Sequence, residues 1–262
     1  MTNITKMIIK DDILIISNNR EDSLFMLFSI PDLELLAAFG ISGQEPDEFM
    51  FPQLVETNEA DKLCYIYNPV SESLWSVSRQ FEPVVVNNHQ LPKTSRKYGD
   101  KQLTVFLNGD RYFVETSGNI KNVNLQCADS LVREQVYNLS NEIEGYKNWA
   151  AYIGDFGTNE GLSRIVYAYK YFKGLSFVDL KIYQCKTLLF DYDLQSKGKT
   201  AIDFLAPSTV THYWGMWVTS SGVYCGYSGR NSIQVQEEGK KDITYIYIEK
   251  FDWQGKRSKN TN

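Results

Sequence analysis

The 262-residue chain predicts an all-β fold, a β-propeller of four-stranded antiparallel blades with about five units. Three observations predict it. Aromatic residues make up 14% of the chain, with 17 Tyr and 14 Phe, and such side chains suit a pleated, half-buried surface better than a helix. Short apolar runs alternate with polar turns throughout, and no segment sustains a 3.6-residue apolar period over a helical length. Anchored on the second strand of each unit, at Ile15, Tyr65, Phe113, Val166 and Tyr224, the pattern repeats at spacings of 50, 48, 53 and 58 residues. A period of about 50 residues with four strands is one propeller blade.

The first unit, residues 5–40, reads as strands at Met7–Ile9 and Ile13–Ser17 around the polar turn Lys10-Asp11-Asp12, then Leu24–Ile30 and Glu34–Phe39 around Pro31-Asp32. After a Gly-rich loop, the second unit (52–87) restarts the pattern with Leu54–Glu56, LCYIYN, LWSVS and PVVV. The third (102–140) contains LTVFLNGD, RYFVETSG, IKNVNLQ and LVREQVYNL, and the fourth (148–193) contains WAAYIGDF, RIVYAYKYF, GLSFVDL and CKTLLFDY. HYWGMWVTSSG, VYCGYSG and ITYIYIEKFDW form the fifth (210–255), and the charged tail after them supplies no apolar fourth strand. Residues 87–101 and 195–209 read as loops between blades, 140–149 has room for a helical turn, and EEGKKD (237–242) reads as a hairpin tip. The whole of 1–262 is expected to be one propeller domain.

Composition excludes several function classes. The net charge is −5 with Lys and Arg scattered, so the basic footprint of a nucleic-acid binder is absent. No run of about 18 apolar residues is present, hence no membrane span is expected. The first residues, MTNITKMIIKDD, do not read as a signal peptide. Cys64, Cys127, Cys185 and Cys225 are far apart, so zinc and redox motifs, which need close pairs, are unsupported and buried free thiols are expected.

Few residues have the chemistry of a catalyst. Only His89 and His212 could activate a nucleophile, and no G-x-S-x-G elbow or phosphate-cradling glycine motif is present. Oxygen ligands suit Ca²⁺, and Glu56, Asn58, Asn108, Asp110 and Asp155 lie near inner strands. The same residues also suit ordinary blade turns, so no metal site and no cofactor is assigned. The stronger signal is aromatic and cationic. His212, Tyr213 and Trp214 open the fifth inner strand, with Trp217 further along it, while Trp149 and Tyr152 lie in the fourth and Tyr227 and Arg230 flank a Gly-rich turn. Strict alternation would place Tyr213 with Gly215 on one face and Trp214 with Met216 on the other. Lys170 and Arg164, in or beside a strand rich in tyrosine, must snorkel or be paired. They complete the channel-mouth candidates.

The loop GISGQEPDEFMFPQ (40–53) carries Gly40, Gly43, Pro46, Glu48, Phe49 and Pro52. It resembles the G-x-x-G-x-x-P-x-E-F-x-x-P connection between blades of NHL-like propellers and of bacterial TolB-like six-bladed β-propellers. LFMLFSIPDLELLAAFG (24–40), RIVYAYKYFKGLSFVDL (164–180) and YCGYSGR (224–230) are further echoes. The resemblance implies a radial propeller of a kind often exported to the cell envelope of bacteria that handle polysaccharides. With about five units here, the expectation is either part of a six-blade pattern with an incomplete ring or a five-bladed ring closed by its own ends. An incomplete ring would leave apolar blade faces open to self-association.

The expected function is a non-enzymatic binding or protein-interaction scaffold for a protein, carbohydrate or peptide. Two alternatives stay open: a Ca²⁺-dependent lactonase-type hydrolase, and an inactive propeller fragment.

Overall fold

The computed structural model describes residues 4–18, 23–57, 59–68, 70–71, 73–86, 103–107, 110–117, 120–126, 133–139, 149–191, 200–243 and 245–258, with backbone alone for 4, 103–107, 110–117, 120–126, 133–136, 149 and 191. Five antiparallel sheets follow one another in the order of the chain, each a meander in which consecutive strands pair. Sheet 1 is β1 (Ile4–Lys10), β2 (Ile13–Asn18), β3 (Phe25–Ser29) and β4 (Leu35–Phe39). Sheet 2 is β5 (Gln53–Val55), β6 (Lys62–Asn68), β7 (Ser73–Ser78) and β8 (Pro83–Val85). Sheet 3 is β9 (Leu103–Leu107), β10 (Asp110–Ser117), β11 (Ile120–Gln126) and β12 (Arg133–Asn138). β13 (Gly154–Asn159), β14 (Arg164–Tyr169), β15 (Lys173–Asp179) and β16 (Gln184–Asp191) make sheet 4. Sheet 5 has three strands, β17 (Thr211–Thr219), β18 (Gly222–Arg230) and β19 (Tyr247–Phe251). This is β-propeller architecture, and the five sequence anchors fall in β2, β6, β10, β14 and β18.

Sheets 1 and 2 form one compact unit and sheets 3 to 5 another. In the first unit, the apolar face of sheet 1 at Ile8, Ile15 and Leu27 packs with Leu54, Leu63 and Ile66 of sheet 2. The Gly-rich loop joining the two sheets wedges a ring between them. Phe49 is buried, with its ring centroid 5.5 Å from Phe25 of sheet 1 and 5.2 Å from Trp75 of sheet 2. The loop's residue types follow from that placement. Gly40 has φ +84°, and a Cβ there would lie 2.8 Å from the Phe25 ring; only glycine combines that dihedral with that approach. A Cβ at Gly43 would collide with the Glu48 carboxylate, which accepts a hydrogen bond from the Glu45 amide at 2.9 Å. Phe49 N–H donates to the Ile41 carbonyl, and Asn68 of β6 donates to the Glu48 carbonyl.

In the second unit, both faces of sheet 4 are covered. Tyr167 and Tyr169 join Tyr152, Phe172, Leu180 and Phe204 in one cluster. On the opposite face Val166, Ala168, Leu175 and Phe177 meet Val223, Cys225, Phe251 and Trp253 of sheet 5 and the turn that follows it. The tyrosine stripe in β14 is therefore core, and its hydroxyls are satisfied: Tyr169 exchanges a hydrogen bond with Ser176 at 2.7 Å, and Tyr167 donates to the Tyr152 carbonyl. The same device ties inner strands in each unit. Lys10, ending β1, donates to the carbonyl of Thr57 just past β5, and Asn159, ending β13, donates to that of Ser220 just past β17.

Three local expectations are corrected. Trp149–Tyr152 is a 3-10 turn, not strand, and β13 begins only at Gly154. The loop before sheet 5 contains a helix, α1 (Ala201–Leu205), capped by Thr200 with Asp203, which buries Phe204. Instead of a hairpin tip, the insertion before β19 holds a two-turn helix, α2 (Ser232–Gly239), capped reciprocally by Asn231 and Gln234. α2 buries no residue, so it lacks the one-sided apolar period by which helices are found in sequence. After β19 the chain turns back: Phe251 and Arg257 form an antiparallel bridge, and Ser258 N–H donates to the Lys250 carbonyl at 2.9 Å. His89, Asn58, Asn108 and Cys127 lie outside the described residues.

Candidate functional site

The end of β14 and the start of β17 are held together through the backbone. Lys170 N–H donates to the Ile153 carbonyl at 2.8 Å, and His212 N–H donates to the Lys170 carbonyl at 2.7 Å. This places Lys170 against the indole of Trp214, with Nζ 4.9 Å from the ring centroid and 5.5 Å from that of Tyr171. Trp214 is 56% exposed. Lysine and tryptophan together form a cationic, aromatic ledge at the surface of the second unit, stabilised by attraction between the ammonium and the π face.

Beneath the ledge the site becomes buried and charged. His212 lies beside the Tyr227 ring at 6.1 Å, and Tyr227 meets Tyr213 edge to face at 5.9 Å. Tyr213 is fully buried and donates to Glu249 Oε2 at 2.9 Å. Glu249 Oε1 accepts from Lys173 at 2.9 Å and from Arg257 at 2.7 Å, and Lys173 Nζ also sits 3.9 Å from the Tyr227 ring centroid. Breaking a buried pair strands a charge and costs several kcal/mol, about 3–5; this carboxylate has two cations and a hydroxyl, so its oxygens are satisfied. Burial, reinforced by the Glu249 charge, pushes the Tyr213 hydroxyl well above the usual phenol range. Burial likewise pushes up the Cys225 thiol, followed by Glu249 and Asp155. Both groups keep their protons at neutral pH, so the cluster is a rigid base and not a source of nucleophiles.

The predicted residues divide between this site and elsewhere. His212, Tyr213, Trp214 and Lys170 come together. A bulge in β17 between Tyr213 and Met216 sets both of those side chains toward sheet 4, contrary to strict alternation. Arg230 pairs with Thr211 at the same end of the sheet but faces inward: its guanidinium donates to Glu238 of α2 and to the Tyr245 carbonyl, with its carbon 4.1 Å from the Tyr245 ring centroid. It is a clamp on α2 and the chain leading to β19. Arg164 sits at the opposite end of β14 from Lys170. There it bonds to Asp179 at 3.2 Å and to the Trp253 carbonyl at 2.6 Å; burial raises the Asp179 carboxyl, but the Lys181 amide and then the Arg164 pairing outweigh it and hold the group below its usual range. Gly40, Gly43, Pro46, Glu48, Phe49 and Pro52 build the connection between sheets 1 and 2.

Lys173, Glu249 and Arg257 were missed in the sequence. The readable signal was Glu249, an acid at an apolar register position of ITYIYIEKF. In the first unit a smaller polar cluster closes on itself: Lys62 donates to the Tyr65 hydroxyl at 2.8 Å, and both bond to Glu59. Burial opposes ionisation of Glu59, but these two hydrogen bonds prevail and lower its pKa. Among the described residues no group of three or more His, Cys, Asp and Glu side chains comes together to hold a metal ion, and no helix is long and apolar enough to cross a membrane. Glu56 lies in the first unit and Asp155 in the second.

No curated protein matches the chain in sequence. Many solved structures resemble it in fold, two of them as follows. A member of the DUF4221 family from Bacteroides vulgatus aligns over 98% of this chain and 79% of its own, with a TM-score of 0.61 and 11% identity. A chain of a nidogen/laminin complex aligns over 95% of this chain and 75% of its own, with a TM-score of 0.55 and 8% identity. The profile of TolB-like, 6-blade propeller-like proteins matches residues 1–262. With its successive meander sheets and its wedged connection at Phe49, the chain belongs to that TolB-like family.

Proposed function

We propose that this protein is a non-enzymatic binding scaffold, and that its ligand contacts the ledge formed by Trp214 and Lys170. The observation that carries the reading is the lysine ammonium 4.9 Å from the centroid of an indole that is itself largely open to solvent. An exposed aromatic plane beside a fixed cation suits a sugar ring or a peptide side chain, because the plane gives apolar contact and the cation directs polar groups. The base beneath supports this use: Tyr213, Tyr227 and Glu249 lock the start of β17, so little ordering is needed when a ligand arrives. The raised pKa values of Tyr213 and Cys225 weigh against chemistry at this place. The resemblance to envelope propellers favours carbohydrate, so soluble bacterial polysaccharide fragments are the first ligands to try.

The test is a titration followed by tryptophan fluorescence and calorimetry. Trp214→Ala is expected to lose at least tenfold in affinity for any fragment bound by the parent protein, with an unchanged melting temperature. Equal affinity of the parent and Trp214→Ala would overturn the assignment of the ledge.

A further inference from the structure

Sheet 1 ends on β4 (LLAAF), which pairs with β3 alone. The Gly40 carbonyl accepts from the Leu24 amide at 2.9 Å, and Ala38 pairs with Met26. Backbone groups alternate in direction along a strand, so Ala37 and Phe39 turn their N–H and C=O away from β3. Among the described residues no backbone group bonds to them. One step further along, the chain uses this edge itself: the Phe49 amide donates to the Ile41 carbonyl, and Phe49 bridges to Ser42 in parallel. The other outer strands are guarded. β8 has three residues and begins at Pro83, β12 carries Arg133 and Glu134, and β16 carries Lys186. β19 is met by Arg257, bridged to Phe251, and by the Ser258 amide on the Lys250 carbonyl. Charge, proline and brevity keep a foreign strand off an edge. β4 has neither charge nor proline, and its bulge at Leu36 leaves Ala37–Phe39 in regular register.

Side chains and charge specify the strand that fits this edge. Leu35 and Leu36 are 57% and 40% exposed, Ala38 is exposed, and Ala37 and Phe39 are half-buried. An added strand therefore meets apolar neighbours on both faces, and the two alanines leave room for larger side chains beside them. Acids stand at both ends of β4, with Asp32 and Glu34 before it and Glu45 and Asp47 after it, all exposed. From Glu21 to Asp61 the chain holds no Lys, Arg or His. A second copy of β4 laid antiparallel on the first would bring Asp32 and Glu34 of one copy toward Glu45 and Asp47 of the other. Like charges placed opposite one another disfavour that pairing, whereas a strand with basic ends complements both acidic groups. We infer that the β4 edge takes an extended peptide of a partner protein, apolar in its middle and basic at both ends, as a fifth strand of sheet 1. This surface lies in the first unit and is independent of the ledge at Trp214.

Amide hydrogen exchange tests this with a synthetic peptide of alternating valine and threonine that ends in paired lysines. The peptide is expected to slow exchange of the Ala37 and Phe39 amides by roughly tenfold or more, and that of the Ala38 amide, already bonded to β3, far less. The same peptide ending in glutamates should leave all three unchanged. Ala37→Pro removes an outward N–H without breaking a bond to β3. It is expected to weaken binding of the lysine-ended peptide by roughly tenfold or more, with an unchanged melting temperature. Ala38→Lys, at an exposed position, puts a cation on the edge and should weaken binding likewise; it serves if Ala37→Pro fails to fold. No protection by the lysine-ended peptide, equal protection by the glutamate-ended one, or unchanged binding by the variants would each overturn the inference. So would protection of Ala37 and Phe39 that grows in the protein alone as its concentration rises, because a second copy would then be the occupant.

Discussion

At the scale of single residues, burial decides the chemistry of the titratable groups. Glu249 is buried in β19, and it is tolerated because Lys173, Arg257 and Tyr213 converge on its two oxygens. Cys64 is the apolar counterpart. It is buried between sheets 1 and 2, and burial alone pushes its thiol up to about 12 from an ordinary value of 9.0. Above pH 9 the unfolded chain releases this proton while the folded chain keeps it. The folded state then binds more protons, and stability falls as pH rises from about 9 toward about 12. Urea midpoints measured from neutral to alkaline pH are expected to decline above about pH 9. In Cys64→Ala that decline should be shallower, though the midpoint at neutral pH is lower because a cavity is left. An identical alkaline slope in the variant would count against the buried, protonated thiol.

At the scale of elements, the sequence is readable where one face is buried and unreadable where none is. The strands around Ile15, Tyr65, Val166 and Tyr224 were legible because their apolar residues recur at strand spacing between polar turns. α2 was not, since all its side chains point to solvent or to its neighbours. Its one local signature is the capping box, Asn231 to the Gln234 amide at 2.8 Å and Gln234 back to the Asn231 amide at 3.0 Å. Because α2 has no buried face, it depends on this cap and on the Arg230 clamp. Asn231→Ala is expected to remove about 1 kcal/mol from the local helix. Hydrogen exchange at 232–239 should speed up by about fivefold, the equivalent of 1 kcal/mol, with exchange in β17 and β18 unchanged. Uniform acceleration across sheet 5 would mean that α2 supports the sheet. The bulge in β17 belongs to the same scale: alternation read from sequence put Tyr213 and Met216 on opposite faces, and one irregularity in pairing brought them together.

At the scale of the molecule, the described core residues gather in clusters within each compact unit, that around Phe25, Phe49 and Trp75 in the first and those around Tyr167 and Phe251 in the second. Truncating Phe49 removes the ring that bridges sheets 1 and 2. Phe49→Ala is expected to cost about 3–5 kcal/mol, read as faster hydrogen exchange in β2, β3, β6 and β7. β14, β15 and β18 should keep their protection. Equal loss of protection in both units would show that they unfold as one.

By itself the sequence determined the class of fold, the four-stranded repeat and the loop that carries Phe49, because strand periodicity and turn chemistry are local. It also marked His212, Tyr213, Trp214 and Lys170 as residues out of keeping with a plain core. Tertiary structure alone decided that these four meet, that Arg164 and Arg230 are held in internal pairs, and that Glu249 with Lys173 and Arg257 underlies the site. Partners such as Lys173 and Glu249 are 76 positions apart in the chain and are joined only when one sheet packs on the next, and no local pattern encodes which charge will find which.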